Sequence, residues 1–396
     1  MTLESPRYPL IFDSWGDEEL KAISDVVRSG RFSMGPYVKE FEIEFAKKFD
    51  VQYAICVNSG SSANLLAVAA LRFFRNGLQP GDEIIVPSIG WSTTYSPLFY
   101  AGFTPKFVDV DRTTFNIDVE QVRLALTERT KAILCVNLLG KCANFSELMV
   151  LAKERGLIIL EDNCESMGAS HNGIYAGTFG LAGTFSFFFS HHISTIEGGM
   201  IVTNDREFRD ICICLRAHGW LRDLDHNSHL FDDRVSDFRR MFWFVLPGFN
   251  VRPTEFTGKL GLEQLEKFDS MLELRRGNHE YFIKKFQGNR FVDIQVYDSG
   301  HSAFSFGMIL KKQFSSRRDE LVRFLSENHI EARPIGSGDI TRNPMVEKFF
   351  KDRAPEGVMI NARLLDEAGF MVGNHPAPLH QAIDHLESMI GIFFED

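Results

Sequence analysis

The sequence predicts an α/β protein in which a mostly parallel mixed sheet, covered by helices on both faces, is followed by a smaller α+β unit. Between residues 53 and 160, short apolar runs alternate with longer amphipathic stretches, which is typical of parallel strands joined by crossover helices. Several runs end directly in Gly, Ser, Asn or Asp, and ligands bind at such strand ends in parallel sheets. From about residue 292 the alternation stops, which indicates a second, smaller domain.

Helices are expected where apolar residues recur every three to four positions, and strands where short β-forming runs stand between turn residues. We expect a first domain at 15–255, a second at 256–396 and an N-terminal arm at 1–14. The expected helices are 15–27, 37–49, 65–74, one starting at 91, 118–125, 145–155, 205–217, 254–268, 272–286, 317–328 and 379–390. The expected strands are 53–57, 84–86, 104–110, 132–137, 157–160, 185–189, 200–202, 302–310, 330–333 and 370–374.

The bulk composition indicates a soluble globular protein, since 44% of the 396 residues are hydrophobic and 24% are charged. The net charge of −10 argues against nonspecific binding to nucleic acid. No stretch is long and apolar enough to span a membrane, and the N-terminal residues lack the pattern of a signal peptide. Six scattered cysteines favour reduced thiols, so we expect a cytoplasmic protein.

The stretch 183–200 carries the most information about function. Its phenylalanine-rich strand leads directly to His191 and His192, where the chain has just left the sheet. An imidazole at a strand end can move a proton near neutral pH. Glu197-Gly198-Gly199 then predicts a tight turn, because glycine adopts backbone angles that other residues avoid.

Three further motifs each have a functional and a structural interpretation. Small residues at 58–64, including Gly60 and Ser61, stand at a helix N-terminus, which suits a phosphate but is also a common cap. Trp91 either stacks on a flat ring or packs in the core. Asp162 ends a buried strand, where a carboxylate is a cap, an ion-pair partner or a cofactor ligand. Arg333 at a strand end is either structural or in contact with the substrate.

Taken together, the motifs resemble the sugar aminotransferases of the aspartate aminotransferase fold, the DegT/DnrJ/EryC1/StrS family, over essentially the whole chain. In that family a lysine six residues before Glu-Gly-Gly binds pyridoxal phosphate covalently, and here that position is His191. The stretch is similar to the branch in which histidine replaces the lysine, the sugar 3-dehydratases. The other matching runs are WSTTY at 91–95, EDNCES at 161–166 and LPGFNVRP at 246–253.

The resemblance implies the aspartate aminotransferase fold, with pyridoxal phosphate and pyridoxamine phosphate as the two cofactor forms. It also implies a homodimer with shared active sites, L-glutamate as amino donor, and loss of the C3 hydroxyl from a GDP-linked or other nucleotide-linked 4-keto-6-deoxy sugar. His191 is the implied catalytic residue. The implied cofactor-binding residues are Gly60, Ser61, Trp91, Asp162, Glu165, Ser186 and Asn250, the last reaching the partner subunit's cofactor. The implied substrate-binding residues are Met34, Ser190, His218 and Arg333.

Three alternatives stay open: a dehydratase for another nucleotide-sugar, an aminotransferase that works without the lysine, and an inactive homologue that binds or regulates. Keeping Asp162, Ser186 and the Gly60-Ser61 turn argues against the last, because an inactive site need not keep a cofactor cradle. No metal is expected. Cys212 and Cys214 could suggest the iron–sulfur cluster of a related branch, but two-residue spacing on a helix points thiols apart and favours burial.

Overall fold

The computed structural model describes residues 8–231, 234–350 and 359–395. Its strands are β1 (Tyr53–Val57), β2 (Glu83–Pro87), β3 (Thr104–Val108), β4 (Thr130–Val136), β5 (Ile158–Asp162), β6 (Ser170–His171), β7 (Ile174–Tyr175), β8 (Ala182–Ser186), β9 (Gly199–Thr203), β10 (Val292–Ile294), β11 (Ser305–Leu310), β12 (Ala332–Arg333) and β13 (Gly369–Gly373).

The helices are α1 (Asp17–Ser29), α2 (Pro36–Lys48), α3 (Gly60–Ala70), α4 (Ser92–Ala101), α5 (Val119–Ala125), α6 (Phe145–Arg155), α7 (Arg206–Arg216), α8 (Asp237–Arg240), α9 (Glu255–Phe286), α10 (Arg318–Glu327), α11 (Pro344–Phe349), α12 (Ile360–Ala368) and α13 (His380–Glu395). No helix among the described residues is both long and apolar enough to cross a membrane.

A seven-stranded sheet in the order β1-β9-β8-β5-β4-β2-β3 forms the centre of the larger part. Strands β8, β5, β4, β2 and β3 run parallel, and β9 is antiparallel to both of its neighbours. Strands β2, β8 and β9 are buried along their whole length, as expected for a sheet with helices on both faces. A separate antiparallel sheet has the order β10-β11-β13-β12. The predicted α/β class with a second, smaller sheet is confirmed.

The strand that precedes the two histidines differs from the prediction of 185–189. It starts earlier and ends at Ser186, because Phe187 closes a loop by bonding through its N–H and C=O to Gly198 and Thr195. The Phe187 ring packs on Phe41 in the core. Phe185 and Phe187 therefore pack in one core cluster, although only Phe185 lies in the strand.

The glycines at the end of this loop were predicted for their backbone freedom, and that explanation is wrong. Neither Gly198 nor Gly199 has a positive φ. A Cβ on Gly199 would lie 2.4 Å from the carbonyl oxygen of Ser59, and one on Gly198 would lie 2.3 Å from the hydroxyl of Thr195. Gly199 is needed because its backbone packs closely against the turn before α3, and Gly198 because the side chains of Thr195 and Thr257 leave no room for a Cβ.

Helix α9 is a single helix of 32 residues where the sequence predicted two. The helix continues through the predicted gap at 269–271, where the Ser270 hydroxyl bonds back to the Lys267 carbonyl. Its first half packs closely on α2 at Gly258, and Phe282 near its other end stacks on Phe306 of the small sheet. The domain division at 255/256 stays a prediction, since this helix packs on both parts.

A group of neutral, buried histidines lies near the small sheet. His279 is fully buried, with its ring centroid 4.2 Å from that of His301 and 4.0 Å from that of Tyr297. Burial lowers the pKa of His279 to about 2, with a further contribution from His301. Burial likewise lowers the pKa values of His301 and His375 to about 4.

We expect the free energy of unfolding to fall as the pH drops from about 6.5 toward 4, the first value being that of an unfolded histidine. The folded-state pKa values are depressed, so the unfolded chain binds more protons in this window and acid favours unfolding. Each such group costs up to about 1.4 kcal/mol per pH unit. Urea titrations at several pH values measure this slope, and His279→Phe should reduce it. An unchanged slope in that variant would contradict the assignment of His279.

Candidate active site

A cavity of about 390 Å³ opens at the carboxyl ends of the parallel strands, and segments next to the small sheet form its other wall. It contains most of the predicted site residues. Those lining it are Gly60, Ser61, Trp91, Asp162, Glu165, Ser186, Ser190 and His191. The fold thus brings together residues that are far apart in the sequence, because α3 begins, and β5 and β8 end, at the same edge.

The N-terminus of α3 forms one wall of the cavity. Ser59 caps the helix, its hydroxyl accepting the N–H of Ser62 at 3.1 Å. The hydroxyls of Ser61 and Thr93 are 2.9 Å apart and both residues face the cavity. A helix N-terminus with free N–H groups and hydroxyls is a suitable site for a phosphate.

Gly60 has a steric role in this wall. A Cβ at this position would lie 2.5 Å from the Cβ of Ser186 and 3.0 Å from the sulfur of Cys164. Only glycine therefore lets α3 begin against the ends of β5 and β8.

We expect Gly60→Ala to displace the start of α3 and destabilise the fold by about 1–3 kcal/mol. It should also weaken binding of pyridoxal phosphate, the cofactor that the sequence resemblance implies, by about tenfold or more. Thermal unfolding and cofactor titration measure the two effects. Gly277→Ala is the matched control, since a Cβ there meets no atom within 4 Å; this exposed position inside α9 should gain about 0.5–1 kcal/mol. Unaltered cofactor affinity in Gly60→Ala would contradict the close approach.

Asp162 is held at the end of β5 by three donors. Its Oδ2 accepts the side-chain N–H of Asn64 and the hydroxyl of Thr94, each at 2.8 Å, and its Oδ1 accepts the N–H of Cys164 at 3.2 Å. Thr184 bonds to the Oδ1 of Asn64 at 2.6 Å and so fixes that amide. Sequence reasoning missed these orienting residues, although Asn64 and Thr94 lie inside the motifs already recognised.

Glu165 faces the same cavity and accepts the N–H of Leu139 at 3.0 Å. Burial raises its pKa to about 7, and the neighbouring Asp162 adds to this against the opposing hydrogen bond. A carboxyl with this pKa exchanges a proton near neutral pH, so it can donate to or accept from a bound group.

The two adjacent histidines differ in environment. His191 lines the cavity, and its Nδ1 is buried with no hydrogen-bond partner among the described residues. Burial, with a contribution from Arg275, lowers the pKa of His191 to about 4, so the ring is a neutral proton acceptor at pH 7. His192 is 2% exposed, lies 3.1 Å through Nε2 from the carbonyl of Ser302, and does not line the cavity.

The remaining predicted residues, Met34, His218, Asn250 and Arg333, do not line this cavity. His218 and Asn250 lie in paired segments, since the N–H of His218 bonds to the carbonyl of Phe249 at 2.6 Å. Asn250 is exposed and accepts the Nε–H of Arg252 at 3.0 Å. Met34 lines a separate groove with Arg31 and Arg222, and Arg333 is exposed on β12.

Two groups of cavity residues were not identified from the sequence. The first is the N-terminal segment that the sequence analysis treated only as an arm: Leu10, Ile11, Phe12 and Ser14. The second comes from α9 and the edge of the small sheet: Arg275, Phe304, Ser305, Met371, Asn374, His375 and Pro376. No local motif marks them, because tertiary packing places them there.

The described residues fit a pyridine cofactor with a phosphate. Ser59, Gly60 and Ser61 would hold the phosphate, Asp162 is a fixed carboxylate, and Trp91, 61% exposed, has an aromatic face that would cover the ring. None of the described residues that line the cavity is a lysine. The site therefore suits pyridoxal phosphate held without a covalent link to the protein.

The chain is similar to proteins of known activity. It is 48% identical to GDP-4-keto-6-deoxy-D-mannose 3-dehydratase of Escherichia coli O55:H7, over 97% of this chain and 99% of that one. Crystal structures of such a dehydratase with bound GDP-perosamine (TM-score 0.94) and with a trapped PLP-glutamate geminal diamine (TM-score 0.92) are also 48% identical and cover 97% of this chain and 100% of theirs. Residues 13–366 match the family model. The chain belongs to the DegT/DnrJ/EryC1/StrS aminotransferase family.

Proposed function

We propose that the protein removes the C3 hydroxyl of GDP-4-keto-6-deoxy-D-mannose, giving GDP-4-keto-3,6-dideoxy-D-mannose. Glutamate donates the amino group, and ammonia and 2-oxoglutarate leave. The observation that carries the proposal is a cofactor cradle with His191 and no lysine among its described lining residues. The close relative named for this reaction supports the same substrate.

The residues that line the cavity have distinct tasks in this reaction. When bound, pyridoxamine phosphate supplies the amine and the electron sink for loss of the hydroxyl. The start of α3 and Ser61 bind the phosphate, and Trp91 covers one face of the ring. Asp162 holds the proton on the pyridine nitrogen. His191, neutral at pH 7, takes and returns a proton at a ring nitrogen.

Mass spectrometry of products tests this function. The protein, pyridoxal phosphate and glutamate are incubated with GDP-, CDP- and dTDP-linked 4-keto-6-deoxy sugars. We expect a product with one oxygen fewer from the GDP sugar, with one ammonia and one 2-oxoglutarate released per turnover. An amino sugar without release of ammonia would indicate an aminotransferase, and no product from any sugar would indicate a binding or regulatory homologue.

We also propose that the protein forms a homodimer with shared active sites. Asn250 and His218 lie outside their own cavity, and the segment between them exposes the apolar side chains Phe238 (79% exposed), Phe242 (67%) and Phe244 (55%). Exposed apolar patches mark interaction surfaces. Asn250 from one subunit then reaches the partner's phosphate site, and Met34, His218 and Arg333 contact the sugar nucleotide.

The six free cysteines support a cytoplasmic location.

Mixing two inactive variants tests the shared site. A dimer of one Asn250→Ala subunit and one His191→Asn subunit contains one intact site, because His191 and Asn250 come from opposite chains. We expect activity to appear on subunit exchange that neither parent shows. A mixture no more active than its parents, at exchange confirmed by mass spectrometry, would rule out the sharing.

A further inference from the structure

Arg275 of α9 is a buried cation in the wall of the cavity, and the roles proposed above for the site residues do not use it. It is 3% exposed, and it is the one arginine among the described residues that line the cavity. No carboxylate of the described chain lies within ion-pair distance of its guanidinium. Burial lowers its pKa to about 9. A buried cation without an acidic partner is costly, so its hydrogen bonds have to compensate.

The guanidinium donates to backbone carbonyls of three separate segments. Nη1 donates to the carbonyl of Phe304 at 3.1 Å and to that of Asn374. Nη2 donates to the carbonyl of His191 at 3.4 Å. These carbonyls belong to the loop after β8, the entry to β11 and the exit from β13. A planar fork with several N–H groups can bridge such a set, whereas a lysine ammonium cannot match the geometry.

The same segments hold the His191 ring. The ring of Phe304 lies 5.3 Å from that of His191, and Phe188 contacts it from another side at 5.9 Å. Asn374 in turn donates to the carbonyls of Arg275 and Ala303, at 3.0 and 2.8 Å. Arg275 therefore fixes both the peptide of His191 and the residue against which its ring packs.

We propose that Arg275 is a positioning residue that orients His191 through its peptide carbonyl and through Phe304, and that it does not bind the substrate. The proposal rests on the proposed function for its kinetic consequence only. Loss of the Arg275 hydrogen bonds leaves the imidazole of His191 present but misplaced. A displacement of about 1 Å costs about 10²-fold in rate. Binding of the cofactor, which uses α3 and Asp162, should not change.

The first test uses cofactor-free protein and does not depend on the reaction. Diethyl pyrocarbonate modifies accessible imidazoles, and peptide mass spectrometry quantifies His191 separately from His192. We expect modification of His191 to be several-fold faster in Arg275→Lys and Arg275→Ala than in wild type. Arg276→Ala is the matched control, since this neighbour donates to the carbonyls of His301 and Gly168, outside the cavity. Equal rates for His191 in all proteins would overturn the proposal.

The second test is kinetic. We expect kcat to fall about 10²-fold in Arg275→Lys, with KM values for sugar and glutamate nearly unchanged and Arg276→Ala close to wild type. Guanidinium chloride at millimolar concentration should restore part of the activity of Arg275→Ala, whereas equal urea or sodium chloride should not. A raised KM for glutamate with unchanged kcat would make Arg275 a substrate ligand. A lowered melting temperature with unchanged kcat would leave only a structural role. Either result overturns the proposal.

The two tests also separate this proposal from the proposed function. If wild-type protein turns over none of the sugars, the function fails while the modification of His191 still decides the role of Arg275. If wild type is active and Arg275→Lys matches it in both tests, the proposed function stands and the positioning role of Arg275 is wrong.

Discussion

Replacing His191 by asparagine should abolish deoxygenation while leaving the cofactor site intact. Asparagine has no basic nitrogen, and loss of a positioned acid–base group costs about 10²- to 10⁴-fold in rate. The fold should tolerate the change, because His191 already faces the cavity and its peptide carbonyl, held by Arg275, is unaffected. Steady-state kinetics with the GDP sugar and glutamate, together with cofactor titration, measure the two properties.

His192→Asn is the control for this variant. His192 is buried and lies against the carbonyl of Ser302, away from the cavity lining. We expect a lower melting temperature and activity within about tenfold of wild type, as for a core substitution. Loss of activity in His192→Asn with retention in His191→Asn would transfer the catalytic role to the second histidine.

The next largest effect is expected for Asp162→Asn, which should lower kcat by about 10²-fold or more, as for removal of a fixed electrostatic partner. A neutral amide cannot hold the pyridinium proton by ion pairing. The structure adds a second cost, because Asp162 accepts donors on both oxygens and an amide must turn its NH2 toward one of them. Stopped-flow spectra of the bound cofactor and thermal unfolding separate the two effects.

Thr94→Val is the matched control for Asp162. It removes one of the hydrogen bonds to Oδ2 but leaves the carboxylate and its bond to Asn64. We expect a loss of about 1–3 kcal/mol in stability, as for a buried acceptor that loses a partner, and a much smaller loss of rate. Equal rates for wild type and Asp162→Asn would exclude Asp162 from the proposed role.

The sequence predicted the larger sheet well because its signals are local. Strand β1 and helix α6 have the predicted bounds, and most other elements shift by a few residues. The second domain was harder. Strand β10 and helices α11 and α12 were missed. The hairpin of β6 and β7 was also missed, although Asn172 (φ 51°) and Gly173 (φ 81°) form the Asn-Gly turn that marks hairpins.

The site residues likewise fall into those with a local sequence signal and those without one. Residues at strand ends or in recognisable turns, such as Gly60, Asp162 and His191, were predicted, because a parallel sheet brings such ends to one edge. Phe12, Arg275 and His375 carry no local signal, since each reaches the cavity only through long-range packing. Asn250 and His218 lie outside the cavity of their own chain, where a single sequence cannot separate a partner contact from an ordinary surface position.

The loop that carries His191 is closed at its base by backbone bonds between Phe187 and Gly198, at 2.9 Å, and between Thr195 and Phe187, at 2.9 Å. Gly199 then packs on the carbonyl of Ser59. None of these contacts involves the side chain at 191. In evolutionary terms, the lineage could therefore exchange one reactive group for another without rebuilding the scaffold. For catalyst engineering, a library of side chains at position 191 can be screened on one backbone. Variants that differ only at this residue can then be selected for different reactions.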